Sequence, residues 1–384
     1  MVRTYFRFDF RSKCDNIDQT FLTRREIIET QIQNFDVLQV TAPTSIVNEP
    51  PFTIPQYQKE LRKYLPQDIL KRTPWRLLYA VAYISLNVGL VAAVLTLELP
   101  WFAKLIAGII IGIANTGLGF FAHEAMHGAI VKNKTFQDAI GFVGFGLFFI
   151  SPTYWRYWHN YLHHGHTQLL IQDPDAFPPI GIYKRSKFMR FVFELSPGSG
   201  TFMSRFYFFY WFCFQAIINQ AVMRFGNKMW EKMNHQRVSI EFGLIVIGIS
   251  GYLYLIGFQN ILWLAIIPFL VQNYGAMSYI STNHNLNPLT RTNDPLDNSL
   301  TVTNHPILEF IYLNFGYHVE HHIFPTMSSY HAKKVHKLLK EKYADRYHYM
   351  PKGEALRRLY STPRLYKGSD QLIHPKTLKT YPTL

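Results

Sequence analysis

Four long stretches of the chain are apolar and carry no charged side chain, and they come as two close pairs. The first pair covers residues 77–97 and 105–122, and the second covers residues 242–258 and 261–280. Each stretch approaches the ~20 apolar residues that cross about 30 Å of hydrocarbon, and only short turns separate the members of a pair. The pattern therefore predicts an all-α membrane protein with four transmembrane helices arranged as two hairpins.

The distribution of basic residues predicts the orientation of these hairpins. The chain carries 39 Lys and Arg against 25 Asp and Glu, a formal charge of +14. The basic residues cluster before the first and third spans, as Lys59, Arg62, Lys63, Lys71, Arg72, Arg76, Lys228, Lys232 and Arg237. By the positive-inside rule both termini face the cytoplasm. No nucleic-acid recognition motif accompanies the charge, so nucleic acid is not an expected partner.

Two further apolar stretches are not expected to cross the membrane. Residues 139–150 are too few for a span. Residues 201–224 contain Arg205 and Gln215 among many aromatic side chains, which is typical of a helix lying at the interface. The flanking regions, residues 1–74 and 351–384, are predicted to be a cytoplasmic N-terminal region and an extended surface tail.

Histidine is unusually frequent, and half of the 16 histidines fall in three short motifs. The motifs are His123/His127, His159/His163/His164 and His318/His321/His322. Spacings of three to five residues place the imidazoles on one side of a helix. Imidazole binds iron, zinc or copper, and eight histidines are enough for two metal ions. With only two cysteines, Cys14 and Cys213, a cysteine-based zinc site is not expected.

His284 is a ninth candidate ligand because it follows the fourth span as His127 follows the second. All these histidines can meet only if an even number of crossings separates them. That condition holds when residues 139–150 and 201–224 stay on one side of the membrane. The sequence therefore predicts a helical cytoplasmic cap that carries a metal site.

Three carboxylates lie close enough in sequence to orient the histidines. Asp173, Asp175 and Glu124 are candidates to accept hydrogen bonds from ligand imidazoles, an arrangement that fixes the ring orientation. Glu320 lies between ligands and is expected to point away. His166 is predicted to be a neighbour of the site or a solvated residue rather than a ligand.

The three histidine motifs resemble those of the membrane fatty acid desaturase superfamily. The resemblance includes the contexts Trp155-Arg-Tyr-Trp-His159 and His321-His-Ile-Phe-Pro325 and covers roughly residues 74–330, so residues 75–350 are assigned to a desaturase domain. It implies a non-haem centre of two iron ions that uses O2 and two electrons to remove hydrogens from an acyl chain. It also favours His284 as a ligand. One difference is that Ile280 stands where acyl-CoA desaturases have an asparagine.

The resemblance also implies partners. The substrate is expected to be an acyl lipid or acyl thioester in the lipid bilayer. The chain has no His-Pro-Gly-Gly haem motif and no GxGxxG fingerprint, so electrons are expected from a separate ferredoxin or cytochrome b5. Residues 331–346 are rich in lysine and predict a basic amphipathic helix, either on the membrane surface or as a dock for an acidic electron carrier.

Two other functions are compatible with parts of the pattern. Carotenoid hydroxylases and ketolases share related histidine motifs, although the long polar N-terminal region matches fatty acid desaturases better. A metal transporter would place ionisable residues within its spans, and these four spans carry none. Desaturation of an acyl chain is therefore the leading hypothesis.

Overall fold

The computed structural model describes residues 52–170, 172–226 and 228–384, and these residues are mostly helical. The helices are α1 Ile54–Leu61, α2 Leu77–Thr96, α3 Trp101–Met126, α4 Lys134–Gly146, α5 Pro152–Trp155, α6 His164–His166, α7 Ile180–Arg185, α8 Lys187–Leu195, α9 Tyr207–Ala221, α10 His235–Ile256, α11 Ile267–His284, α12 Pro295–Asn298, α13 Pro306–Ile311, α14 His318–Ile323, α15 Ala332–Lys342 and α16 Lys352–Ser361. Two π-helical segments, Arg156–His163 and Leu262–Ile266, lead into α6 and α11. The strands are β1 Thr301–Thr303, β2 Tyr349–Pro351, β3 Tyr366–Lys367, β4 Gln371–Ile373 and β5 Thr380–Pro382.

Within this described part of the chain, three helices are long and apolar enough to cross a membrane. They are Pro74–Thr96, Trp101–Met126 and His235–Ile256. The fourth predicted span corresponds to the π-helical segment Leu262–Ile266 followed by α11. This segment contains the polar Gln272 and Asn273 and is not among the helices of the described residues that meet the requirement for a span. The three helices that do meet it indicate a membrane protein.

The helices α3 and α11 pack closely along much of their length. Two glycines of α3 face α11 and the π-helical segment before it. A Cβ added at Gly108 would lie 2.4 Å from the Trp263 carbonyl oxygen, and one added at Gly112 would lie 2.5 Å from Val271 Cβ. Small residues at such contacts let helix backbones approach within the membrane. The Gln272 side chain accepts a hydrogen bond from Asn115 at 2.7 Å, so α11 places its polar groups inside the bundle. This contact joins the two helices well before the ends that carry His123 and His284.

The two ambiguous apolar stretches form short helices. α4 has 13 residues and α9 has 15, which is too short for either to cross the hydrocarbon as a single helix. α9 packs against α11 through a buried face that includes Phe208, Phe212 and Cys213. Their lengths agree with the expectation that neither segment is a span.

Short helices and two small sheets surround the histidine-bearing ends of the long helices. β1 pairs in parallel with β2, and β3, β4 and β5 form an antiparallel sheet. α1 shares a buried apolar cluster with α14 and α15, through residues such as Tyr57, Val319 and Val335. The segment just before the first span therefore packs onto the third histidine motif.

The C-terminal tail differs from the expected extended surface segment. It contains α16 and the three-stranded sheet, and Arg364, Leu365 and Tyr366 are almost fully buried. The Tyr366 hydroxyl donates to the Asn287 carbonyl oxygen at 2.7 Å, just beyond α11. The prediction failed because these contacts join residues nearly eighty positions apart, which local composition does not reveal.

Candidate metal centre

Each histidine motif lies at the end of a helix. His123 is in the last turn of α3, and His127 caps that helix. His284 is the last residue of α11. The second motif lies on the π-helical segment Arg156–His163 and the first residue of α6, His164. The wider turns of π-helical segments occur frequently at functional sites. These helix ends point the imidazoles of distant segments toward one region.

The structure brings all nine predicted histidines together in two groups. Within each group one ligand atom from every residue lies within 4.8 Å of the others. The five-histidine group contains His123, His127, His159, His164 and His321, and the four-histidine group contains His163, His284, His318 and His322. Neither group follows the order of the motifs, because the second and third motifs contribute to both.

The Nε2 atoms face one another at distances that suit a shared metal ion. In the five-histidine group, His123 and His159 are 2.9 Å apart, and His164 and His321 are 3.0 Å apart. In the four-histidine group, His284 and His318 are 2.8 Å apart. Two nitrogens bound at right angles to one ion at about 2.1 Å lie about 3.0 Å apart. The donor set therefore fits a metal ion in each group.

The His127 side chain gives a second indication that the five-histidine group binds a metal ion. Its Nε2 is buried and has no hydrogen-bond partner among the described residues. Buried polar atoms in proteins are nearly always satisfied. A metal ion at the centre of the five-histidine group would satisfy this nitrogen.

Burial keeps most of these imidazoles neutral, which is the form that binds metal. Burial, with a contribution from neighbouring histidines, lowers the pKa of His159, His164, His318 and His322 well below the ordinary value. It lowers the pKa of His321 to about 3. Neutral histidines do not need to lose a proton before they bind a metal ion.

His163 differs because two carboxylates face its other ring nitrogen. Its Nδ1 is 3.1 Å from Asp173 Oδ1 and 3.4 Å from Asp175 Oδ2. Burial acts to lower the pKa of His163, but the charge of Asp173 and its hydrogen bond outweigh this effect and raise it. Burial raises the pKa of Asp175 to about 7. Asp173 and Asp175 thus occupy the positions predicted for carboxylates that orient a ligand.

Glu124 does not have the predicted contacts. Its carboxylate accepts hydrogen bonds from Arg76 at 2.8 Å, from Ser328 at 2.6 Å and from Ser329 at 2.8 Å, rather than from an imidazole. The helical turn that directs His123 into the site turns the next residue, Glu124, toward the start of the first span. Glu124 therefore joins α3 to the segment that follows the third motif.

The remaining candidates lie beside the two groups. Glu320 points away from both histidine groups, as expected for its position, and accepts a hydrogen bond from Thr301 at 2.6 Å, while its other oxygen is 3.1 Å from the Nδ1 of His336. His166 lies outside both groups, and its Nδ1 is 3.0 Å from the Leu162 carbonyl oxygen. Ile280 contributes only apolar surface to a cavity next to the histidines.

Sequence reasoning missed Gln168, which connects two of the histidines. Its backbone N–H donates to Asp173 at 2.8 Å, and its side chain donates to the His284 carbonyl oxygen at 2.5 Å. Asp173 in turn faces His163, so Gln168 ties two members of the four-histidine group together. Its φ of 54° is unusual for a residue with a side chain, and no local sequence signal announces it.

A largely apolar pocket lies beside both groups. Its walls include Phe148, Trp155, Phe212, Ala276 and Ile280, together with histidines of both groups. Pockets lined mainly by apolar and aromatic side chains with a few polar groups are typical of ligand-binding sites. The pocket therefore joins an apolar surface to histidines of both candidate metal-binding groups.

Comparison with known proteins agrees with this geometry. Residues 99–353 match the Fatty acid desaturase family. The chain is 23% identical over 262 residues to the chloroplastic omega-6 fatty acid desaturase of Glycine max, covering 63% of this chain and 57% of that protein. It is 23% identical over 279 residues to the Delta(8)-fatty-acid desaturase of Euglena gracilis, covering 66% and 64%.

A shorter match adds a further relative. The chain is 29% identical over 143 residues to an sn-1 acyl-lipid omega-3 desaturase (ferredoxin) of Synechocystis sp., covering 36% of this chain and 38% of that protein. The alignments with all three relatives span less than two thirds of the relatives' lengths. The chain belongs to the fatty acid desaturase family, because the family match extends over more than half of its residues.

Changing Asp173 to asparagine tests its role next to His163. Asparagine keeps the size of the side chain but removes the charge, and its NH2 group must face one of the two backbone donors, the N–H of Gln168 or that of Asp175. We expect metal affinity to fall about 10–100-fold, the usual effect of losing a group that orients a ligand. The amount of metal that the protein retains after dialysis against a chelator measures this affinity. The exposed Asp345→Asn is the control, and equal retention in both variants would refute the role.

Proposed function

We propose that the protein is an O2-dependent desaturase that introduces a double bond into the acyl chain of a lipid or acyl thioester. The observation that carries this proposal is the position of two buried histidine groups beside one apolar cavity. The family membership supports the same reaction class. The three named relatives are desaturases of fatty acids or acyl lipids.

The nine histidines are proposed to hold two iron ions, one in each group. A set of neutral nitrogen donors leaves the ions positively charged and is compatible with iron. When bound, the iron pair would supply the activation of O2 needed to remove two hydrogens from the acyl chain. The overall change converts two neighbouring methylene groups, O2, two electrons and two protons into a double bond and two waters.

The protein's own residues position the reactants. Asp173 and Asp175 hold the His163 ring by its Nδ1, and the Asn298 carbonyl oxygen is 3.2 Å from the Nδ1 of His284. The apolar walls of the cavity offer no hydrogen bonds to the acyl chain. The shape of the cavity alone therefore determines the position of the acyl chain. The same walls exclude water from the reacting carbons.

The proposed topology adds α11 as a fourth crossing. α3 and α11 pack side by side and end at the same histidine groups, which supports a parallel pair of spans that carry the site at one face. The basic residues before α2 and α10 assign that face, with both termini, to the cytoplasm. In this topology the acyl substrate would enter the cavity directly from the bilayer.

Electrons are proposed to come from a separate ferredoxin or cytochrome b5. The name of one relative includes ferredoxin, which supports a carrier of that kind. A carrier that delivers one electron at a time must visit the protein twice in each turnover. These two electrons, together with the two electrons released from the broken C–H bonds, balance the reduction of O2 to two waters.

Expression in a host tests the proposal. Gas chromatography of total fatty acids should show a new unsaturated species that is absent from cells with an empty vector. A His159→Ala variant expressed at the same level is the control, because it removes a nitrogen from the five-histidine group. A new pigment in a carotenoid-producing host, without any new fatty acid, would instead support a carotenoid hydroxylase or ketolase.

A further inference from the structure

One surface of the cap is strongly basic and is not explained by the site. α15 carries five lysines and a single glutamate within 11 residues. The lysines are all exposed, and they define what we term the basic face: Lys333, Lys334, Lys337, Lys340 and Lys342. Lys333 pairs with Glu309, whereas no carboxylate of the described residues lies within ion-pair distance of Lys334 or Lys337. The basic face therefore presents unneutralised charge to the solvent.

The other side of α15 is already buried within the protein. Ala332, Val335 and Leu339 are at most 2% exposed, and Val335 and Leu339 pack in the cluster formed with α1 and α14. A helix that lies in a membrane surface buries its apolar side in lipid. α15 has no apolar side left for this purpose. Its free side suits an acidic protein better than a bilayer.

Aromatic side chains connect this surface with the four-histidine group. Tyr349 is 43% exposed, and its ring lies 4.5 Å from the Lys340 ammonium group. The Tyr349 ring contacts His336 at 5.3 Å between centroids, and His336 contacts Tyr317 at 5.2 Å. Tyr317 is the residue before His318. Two ring contacts and one peptide unit thus separate an exposed ring from a candidate metal ligand.

We propose that the basic face is the docking surface for an acidic, water-soluble protein that carries single electrons, and that these electrons enter through Tyr349. This inference rests on the proposed function, because the reaction consumes two electrons that the chain does not supply. The reduced carrier is oxidised by one electron at each visit. Two visits, with O2 and two protons, complete the balance given above.

The lysines of the basic face should raise the rate at which an acidic carrier associates with the protein. Interfaces for electron transfer are small and short-lived, and opposite charges mainly raise their rate of association. Salt screens charges over about 10 Å at 0.1 M ionic strength. Docking at the basic face should therefore weaken steeply as salt is added.

The test measures carrier binding by the protein in nanodiscs of neutral phosphatidylcholine. The probes are a ferredoxin and, separately, the soluble haem domain of a cytochrome b5. The double variant Lys334→Glu/Lys337→Glu should weaken the Kd of at least one probe by tenfold or more at low salt. The matched control is Lys367→Glu/Lys379→Glu, which makes the same change in net charge at exposed positions near the C-terminal sheet. The control should stay within twofold of the unaltered protein.

A separate variant tests Tyr349 as the point where electrons enter the protein. Tyr349→Leu should leave the Kd within twofold but slow carrier oxidation at saturating carrier concentration by at least fivefold. An unchanged limiting rate would overturn Tyr349 as the route. Double-bond formation driven by dithionite should be equal in all these proteins, because the chemical reductant does not need the docking surface.

Other results would overturn the docking surface itself. Equal weakening in the control would show an effect of net charge only. An effect seen with anionic phosphatidylglycerol but absent in neutral nanodiscs would assign the basic face to the bilayer. If dithionite produced no double bond in the unaltered protein, the proposed desaturation would fail, while the Kd measurements would still decide whether the carrier binds here.

Discussion

A His318→Ala protein should insert into membranes normally but lose both the proposed iron and the proposed desaturase activity. The His318 Nε2 lies 2.8 Å from that of His284 and 3.2 Å from that of His322, so it belongs to the centre of the four-histidine group. Removing a direct ligand should cost more than the roughly 10–100-fold loss that follows removal of an orienting group. Iron content by elemental analysis and product formation by gas chromatography measure the effect.

His166→Ala is the matched control for this experiment. His166 lies close to the second motif but outside both groups. This variant should keep at least half of the iron and activity of the unaltered protein. Full iron content in His318→Ala, or equal loss in His166→Ala, would contradict the assignment of the four-histidine group as a metal site.

The Arg76 and Glu124 side chains should make the largest contribution to stability of any single ion pair described here. They are 2% and 6% exposed, and their charged atoms are 2.8 Å apart. Removing one member of a buried pair leaves the other charge unpaired, which typically costs about 3–5 kcal/mol. We therefore expect Arg76→Met to lower the thermal unfolding temperature of the purified protein sharply.

A double variant separates charge from packing at this position. Arg76→Met/Glu124→Gln leaves no buried charge and should recover part of the lost stability. The exposed Lys71→Met serves as the control and should have little effect. If the double variant were less stable than Arg76→Met alone, the unpaired carboxylate could not be the cause of the loss.

The long helices were predictable because their signal is local. The predicted stretches 77–97 and 242–258 correspond to Leu77–Thr96 and His235–Ile256 within several residues. The second helix begins earlier than expected, at Trp101 after Pro100, and continues through His123. Apolar runs revealed the middle of each helix, but the helices extend beyond those runs into polar sequence at one end.

The candidate site was predictable in its members but not in its arrangement. The spacing of the histidines identified eight of the nine that the structure brings together, and the position of His284 after the fourth apolar stretch identified the ninth. Their division into groups of five and four depends on tertiary packing, because His163 and His164 are neighbours in sequence yet belong to different groups. Dependence on tertiary packing also explains why the prediction for Glu124 was wrong, because its hydrogen-bond partners lie 48 and more than 200 positions away in sequence.

The division of the histidines also constrains how the protein is made. Each group contains histidines from the segment before residue 165 and from the third motif at residues 318–322. The five-histidine group needs His321 and the four-histidine group needs His322, so neither is complete until these residues have left the ribosome and the intervening segment has folded back. A full set of candidate ligands is therefore available only after most of the chain has been synthesised. Metal binding to either complete group must follow synthesis of the long helices that precede the third motif.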